Sequence, residues 1–309
     1  MVKRRRWKSK LQVRGVIMKK VVKFGGSSLA NAEQFQKVGD IIRSDESRRY
    51  VVPSAPGKRF DEDIKVTDML YGCYDAASKG EDITEKINAI KARYYEIIKG
   101  LGLSLSLEEE FKKIDEDFRA QAGIQYAASR GEFLNGKIMA AYLGYDFVDA
   151  ASVIRFDKAG NLEAEETNKL LSKKLSKSQH AVIPGFYGAC ADGTVKTFSR
   201  GGSDVTGSLV AKAIHADIYE NWTDVSGFLV TDPRIVHNPE PIEAITYREL
   251  RELSYMGATV HEDAIFPVRK EGIPINIRNT NSPEDKGTLI VESTCKKPKF
   301  TITGIAGKK

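Results

Sequence analysis

Two glycine pairs, far apart in the chain, sit among the residues best suited to chemistry. The first lies in Val21-Val22-Lys23-Phe24-Gly25-Gly26-Ser27-Ser28, the second in Thr197-Phe198-Ser199-Arg200-Gly201-Gly202-Ser203-Asp204. Each follows a strand-like run and opens a helix-like one. A glycine pair lets the backbone come close to a ligand, and a helix start offers unpaired N–H groups to an anion. Lys23 adds a compact positive charge, Arg200 a bidentate one and Asp204 a carboxylate. Together these are parts of a phosphoryl-transfer site, where negative charge spreads over the oxygens of the migrating group. Taken singly, each has a plainer meaning. Lys23 also reads as a solvated lysine on a strand–helix turn. Ser203 and Asp204 also read as an ordinary helix N-cap, which leaves Arg200 unexplained.

Three further segments carry polar residues in turns. Gly131-Glu132-Phe133-Leu134-Asn135-Gly136-Lys137-Ile138 nearly spells a P-loop. Ile138 replaces the hydroxyl that would hold Mg²⁺, and the segment follows a helical pattern rather than a strand, so that reading is rejected. Glu132 remains as an acid beside a glycine, expected at a helix start, where the dipole alone would favour it. Trp222-Thr223-Asp224-Val225-Ser226-Gly227 and Thr231-Asp232-Pro233-Arg234 close another strand. Their Thr-Asp pairs and Arg234 suit a ribose or phosphate edge, and equally suit Asx-type turns.

The elements that must position these residues alternate. Strand-like runs lie at 20–24, 49–55, 146–151, 181–186, 195–198, 216–222 and 273–277. Helical patterns lie between them, at 163–175, 204–215 and 246–271 with a break near Gly257. A long helical stretch, 66 to about 142, forms an insert, expected as a cap or lobe. Pro56 and Gly57 break the chain before it, and 58–65 reads as a surface loop. Strands alternating with helices predict an α/β fold, a three-layer αβα sandwich around a mostly parallel sheet. Ligands of such sheets bind at the carboxyl ends of strands, where both glycine turns are expected.

Composition narrows the classes. The chain has 309 residues, 41% of them hydrophobic, enough for a large core. No apolar run approaches the length of a bilayer span, and the first residues lack the apolar core of a secretory signal. Cys73, Cys190 and Cys295 are odd in number and widely spaced, and the four histidines show no ligand spacing. This points to a reducing, cytoplasmic setting with no disulfide framework and no zinc site. The net charge of +6 belongs to the first 17 residues. They hold Lys3, Arg4, Arg5, Arg6, Lys8, Lys10 and Arg14 and no acid, so the remainder sums to −1. Such a tail could contact RNA, but the composition is read as a disordered extension, with Met18 an alternative start and no nucleic-acid partner expected.

Read together, these segments resemble the aspartokinases of the amino acid kinase family, over about residues 18–308. The resemblance is carried by Lys23-Phe24-Gly25-Gly26-Ser27-Ser28, Val52-Pro53-Ser54-Ala55-Pro56-Gly57-Lys58, Gly131-Glu132, Phe198-Ser199-Arg200-Gly201-Gly202-Ser203-Asp204, Thr223-Asp224-Val225-Ser226-Gly227 and Thr231-Asp232-Pro233-Arg234. It implies the amino acid kinase fold. It also implies transfer of the γ-phosphoryl of ATP, with Mg²⁺, to the side-chain carboxylate of L-aspartate. In that reading Lys23 neutralises the migrating group, Arg200 clamps the α-carboxylate, and Glu132 meets the ammonium. Asp204 orients substrate or Mg-ATP. Ser54, Thr67, Gly201, Gly202 and Ser203 complete the substrate side. Gly25, Gly26 and Ser27 hold phosphates, and Thr223, Asp224, Leu229, Asp232 and Arg234 line the nucleotide pocket. No protein-bound metal site is implied.

The chain departs from the pattern in places. Leu229 stands where the family often has tyrosine. Met256-Gly257-Ala258-Thr259 has threonine where many members have a nucleotide-contacting lysine, and the stretch before His261 is one residue shorter. The domains read as 1–17, the basic extension; 18–295, the kinase domain; and 296–309, the start of an ACT region that stops early, with a terminal strand near 300–305. Where an ACT region is present, a homodimer is expected, and here feedback control is expected to be absent or altered. Two other readings stay open: a non-catalytic subunit or truncated remnant, and a kinase of the same type acting on another amino acid.

Overall fold

The computed structural model describes residues 18–199, 201–231, 235–237, 239–255 and 267–293. The basic extension, the piece from Met256 to His261 and the terminal strand expected near 300–305 lie outside the described residues.

An eight-stranded sheet forms the middle layer. Its strands are β1 (Lys20–Phe24), β2 (Arg48–Pro53), β3 (Asp146–Phe147), β4 (Ala181–Val182), β7 (Ile218–Thr223), β8 (Ala244–Thr246), β9 (Ile275–Asn279) and β10 (Thr288–Val291), in the spatial order β3-β4-β2-β1-β7-β9-β10-β8. Every pairing is parallel except β9 with β10. β1 is central, between β2 and β7, with Lys23 level with Val52 on one side and Asn221 on the other. Its alternation sends Val21 into the core on one face and Val22 and Phe24 into the core on the other.

One face is covered by α7 (Ala164–Leu175) and α8 (Gly202–Ala213), through Leu171, Leu175, Val205 and Leu209. The other is covered by α1 (Ala32–Arg43) and by the insert: α2 (Val66–Ser78), α3 (Thr84–Gly100), α4 (Glu108–Arg119) and α5 (Ile124–Leu143). Asn31 caps α1 by accepting from the Gln34 N–H at 2.9 Å. A short helix, α6 (Ala150–Val153), precedes α7, and α9 (Tyr247–Tyr255) follows β8.

The expected three-layer architecture holds, with four corrections. The insert is not a separate lobe. α5 is apolar on most sides and packs directly on β2 and β4, so α2, α3 and α4 share a core with the sheet. The strand expected over 146–151 ends at Phe147, because Asp149 accepts from the Ala151 N–H at 3.0 Å and starts α6. The 195–198 run is not in the main sheet: β6 (Val195–Thr197) pairs antiparallel with β5 (Tyr187–Ala189) as a separate two-stranded ribbon. The second glycine turn therefore follows a ribbon, and only the first leaves the parallel sheet. Finally, β8 and β10, three and four residues long, carry no period long enough to read in advance.

Cys73 and Cys190 are free and buried. No helix among the described residues is long and apolar enough to cross a membrane.

Arg93 of α3 is the insert's main polar link to the strand ends. It is 5% exposed and donates to Asp63 at 2.6 Å and to the carbonyls of Gly57 at 3.1 Å and Ala30 at 3.4 Å. Asp63 also accepts from the Arg59 backbone and guanidinium. Arg59, then Arg93, hold the Asp63 carboxyl well below the usual carboxylate range, against burial that would raise it. Arg93→Met keeps the stem but leaves two carbonyls and a buried carboxylate without this partner, and should cost roughly 3 kcal/mol in urea unfolding. A loss below about 1 kcal/mol, the scale of an exposed pair, would show that the contact is solvated.

Candidate active site

β1 ends at Phe24 and the chain turns at once through Gly25 and Gly26 into a single 3-10 turn, Ser27–Leu29. The neighbouring strand β2 ends at Pro53 and leads to Ser54-Ala55-Pro56-Gly57. These two loops pack backbone on backbone. Gly57 N–H donates to the Gly26 carbonyl at 2.8 Å, and a Cβ on Gly57 would lie 2.6 Å from the Gly26 carbonyl carbon. A Cβ on Gly26 would lie 2.9 Å from the Ala55 carbonyl oxygen. Glycine at both positions is therefore a steric requirement of the approach.

Between these loops opens a cleft of about 600 Å³. It is lined by Gly26, Ser27, Ser54, Ala55, Pro56, Gly57, the 58–61 loop, Lys65, Thr67, Glu132 and Asp224. Ser54 is held by its own N–H, which donates to the Phe24 carbonyl at 3.1 Å, and by its carbonyl, which accepts from the Asn135 amide at 2.6 Å. Thr67 stands in the first turn of α2. Asp224 follows β7, beside Thr223, whose hydroxyl donates to it at 3.2 Å.

The Lys23 ammonium lies 3.8 Å from where a Cβ would stand on Gly25, the residue before Gly26 of the cleft wall. Lys23 is 8% exposed, so its charge needs a partner. Asp204, in the first turn of α8, supplies it at 2.7 Å. Asn221 of β7 touches both: it accepts from Lys23 at 3.3 Å and donates to the same Asp204 oxygen at 3.0 Å. The two glycine turns that the sequence presents separately are thus joined by an ion pair. The cap of α8 is Gly201, left-handed at φ 55°, with no side-chain hydrogen bond. This corrects the N-cap expected of Ser203 and Asp204. Ser203 is buried against Gly185, and Asp204 faces Lys23. Gly202 is pressed on Phe186, which itself takes φ 79°, a costly conformation for phenylalanine. Its N–H donates to the Thr206 hydroxyl of α8 at 3.1 Å, and its carbonyl accepts from the Phe198 N–H at 3.0 Å.

Glu132 is also corrected. It sits in the middle of α5, which starts at Ile124, and not at a helix start. The glycines of the false P-loop serve packing instead: a Cβ on Gly131 would meet Ala55 at 2.8 Å, and one on Gly136 would meet Pro184 at 2.7 Å. Close approach at Gly131 brings Glu132 to the cleft, 6% exposed, with Oε2 lacking any hydrogen-bond partner. Burial pushes its carboxyl up to about 8, against hydrogen bonds from the Ala55 and Glu132 N–H groups and the charge of Arg130.

Arg200, Asp232 and Arg234, expected at the substrate and nucleotide sites, lie outside the described residues. Leu229 is bridged to Pro241 and is not part of the cleft lining. The reading of the sequence passed over Asn221, Arg93, Asn135 and Phe186. Asn221 gains its role from the strand register that sets it opposite Lys23, which its own sequence neighbours do not signal. Among the described residues no group of three or more His, Cys, Asp or Glu is placed to hold a metal ion.

The pKa of Glu132 has a consequence for stability. Its carboxyl ionises near 4.5 unfolded and near 8 folded, so the folded state keeps a proton that the unfolded state loses. Its stabilising contribution is complete below pH 4.5, declines as pH rises, and is gone above 8. Glu132→Gln should therefore match the unmodified protein in thermal unfolding at pH 5 and exceed it at pH 9 by about 1 kcal/mol or more. Equal stability at both pH values would mean that Glu132 is solvated and ionised throughout.

The amino acid kinase family model matches residues 18–279. The chain is 40% identical over 289 residues to aspartokinase 3 of Bacillus subtilis, covering 88% of this chain and 63% of that one. It superposes on the crystal structure of Clostridium acetobutylicum aspartate kinase with a TM-score of 0.89 at 52% identity, covering 94% of this chain and 66% of that one. It also superposes on Escherichia coli aspartokinase III in complex with aspartate and ADP, with a TM-score of 0.78 at 27% identity, covering 92% of this chain and 67% of that one. The chain thus spans slightly less than two thirds of the Bacillus and Clostridium proteins.

Proposed function

The chain belongs to the amino acid kinase family, and on that premise we propose that it is the catalytic portion of an aspartate kinase, carrying the γ-phosphoryl of ATP to the side-chain carboxylate of L-aspartate to give 4-phospho-L-aspartate. The observation that carries the proposal is the 2.7 Å ion pair between Lys23 and Asp204, one turn from a cleft with a glycine cradle on one side and a buried glutamate with one unpartnered oxygen on the other. The Bacillus and Clostridium relatives, an aspartokinase and an aspartate kinase, support the same substrate.

The residues present suit an anionic nucleotide and an amino acid. In the Gly25–Ser27 turn, tight enough to exclude a Cβ at Gly26, the Gly25 N–H is taken by the Trp222 carbonyl at 3.1 Å, and the N–H groups of Gly26 and Ser27 are the ones to meet phosphate oxygens. Mg²⁺ bound with the nucleotide would neutralise phosphate charge, with Asp204 and Asp224 the nearby carboxylates. Lys23, fixed by Asp204, meets the charge that develops on the transferred group. The acceptor carboxylate is already ionised at neutral pH, so no general base is required, and catalysis rests on alignment and charge neutralisation. Glu132 makes no salt bridge with any described residue, and the substrate ammonium supplies a direct partner for its free oxygen. Ser54 and Thr67 flank the same space. Arg200 takes the α-carboxylate, and Thr223, Asp232 and Arg234 take the nucleotide.

The test is ADP release with Mg-ATP across a panel of aspartate, glutamate and acetylglutamate, with the acyl phosphate trapped as its hydroxamate. Turnover with aspartate alone is expected. Lys23→Ala, folded by circular dichroism, should lose on the order of 10²–10³ in kcat, the usual effect of deleting one preorganised charge-stabilising group. Turnover on glutamate but not aspartate would overturn the substrate assignment. An unchanged kcat in Lys23→Ala would overturn the role of the ion pair.

A further inference from the structure

We propose that Asn221 is a positioning residue for phosphoryl transfer, one that sets how the Lys23 ammonium is shared between Asp204 and the substrate; this rests on the kinase reading above. Lys23 and Asn221 are register partners on adjacent parallel strands, and their side chains turn to the face covered by α8. The amide is used at both ends. Its oxygen accepts from Lys23 at 3.3 Å, and its nitrogen donates at 3.0 Å to the Asp204 oxygen that also takes Lys23 at 2.7 Å. The three groups form a closed ring. The two bonds the amide makes fix its orientation, since a flipped amide would point its NH₂ at an ammonium and its oxygen at a carboxylate.

The ring has an electrostatic purpose. An ammonium has three donors. Alone with a carboxylate in a poorly hydrated site, Lys23 would be fully engaged by Asp204 and drawn toward α8. Donation from Asn221 occupies part of that carboxylate's accepting capacity, and acceptance by Asn221 holds the ammonium on the strand side. Two N–H groups are thereby committed in fixed directions and the third is left for the cleft, beside Gly25. An Asp204–Lys23 pair without the amide keeps its charges but loses that direction. Loss of direction lowers the rate of a step that depends on alignment, while binding of each substrate, made by other loops, is spared.

Two variants test this in the full 309-residue chain. Asn221→Leu keeps the branching at Cγ, at a larger volume, and removes both bonds. Asn221→Asp keeps the shape and the acceptor, and replaces the donor with a second carboxylate competing for Lys23. Both are expected to lower kcat roughly 10–100-fold while the aspartate KM and the ADP Kd, the latter by calorimetry, stay within about threefold. A residue with only a structural role would change thermal stability without this split. A folded Asn221→Leu with kcat near that of the unmodified chain would overturn the proposal, and so would an equal rise in both binding constants. If Asn221→Leu does not fold, Asn221→Asp decides on the same readouts. The unmodified chain is the control. Its failure to turn over aspartate would overturn the kinase reading, whereas its activity together with unimpaired variants would overturn the positioning role alone.

Discussion

Lys23 places a positive charge at the end of the central strand, almost out of contact with water. A buried charge must be paired, and the available carboxylate is Asp204, in the first turn of α8 and 181 positions further along the chain. That one requirement fixes where α8 begins on the sheet. The fixed position of α8 in turn presses Gly202 on Phe186 and Ser203 on Gly185, so the β5–β6 ribbon and the second glycine turn come to rest beside the first. The body of α8 is held on the sheet by Val205, Leu209 and Val210, and the pair joins its first turn to the end of β1.

Among the described residues two glutamates are buried, and their surroundings are opposite. Glu220 of β7 is 1% exposed, on the sheet face away from Lys23. Burial alone would raise its carboxyl, but Arg48 and Lys20 hold it below the usual range, and it also accepts from the Trp222 indole at 2.9 Å. Its charge is permanent and structural, tying β1, β2 and β7 together at their starts. Glu132 is as deeply buried, yet it has one oxygen without a partner and no salt-bridging cation, and burial raises it to about 8. One acid is neutralised by the fold. The other is left for a ligand to neutralise, which is why it stands in the cleft wall.

The helical insert explains how a flat strand edge becomes a walled cleft. Arg93, from α3, reaches the carbonyls of Ala30 and Gly57 and the carboxylate of Asp63 together. It therefore links the segment after the 3-10 turn, the β2 loop and the 58–65 loop. α5 adds Glu132, and Asn135 on the Ser54 carbonyl. The insert is thus the outer wall of the site, continuous with the core beneath the sheet.

The amino-acid sequence by itself determined the three-layer fold and the first glycine turn at a strand end, because alternation, breakers and glycine pairs are local signals. It also determined the chemical types on offer: Lys23, Asp204, Glu132, Ser54 and Thr67 were all legible from their motifs; the last three line the cleft, and the first two form the ion pair between the glycine turns. Only the tertiary structure decided the environment of each. That Glu132 reaches the cleft wall with one oxygen unpartnered depends on Gly131 packing on Ala55, a contact 76 positions apart in the chain. That 195–197 leaves the main sheet depends on a hairpin closing where Thr194 N–H meets the Asp192 carboxylate at 2.9 Å. That Asn221 joins Lys23 to Asp204 depends on strand register, which is set by burial across the whole sheet and leaves no mark in the residues around it. Side-chain type is written locally; charge, direction and partner are properties of what the fold brings within a few ångströms.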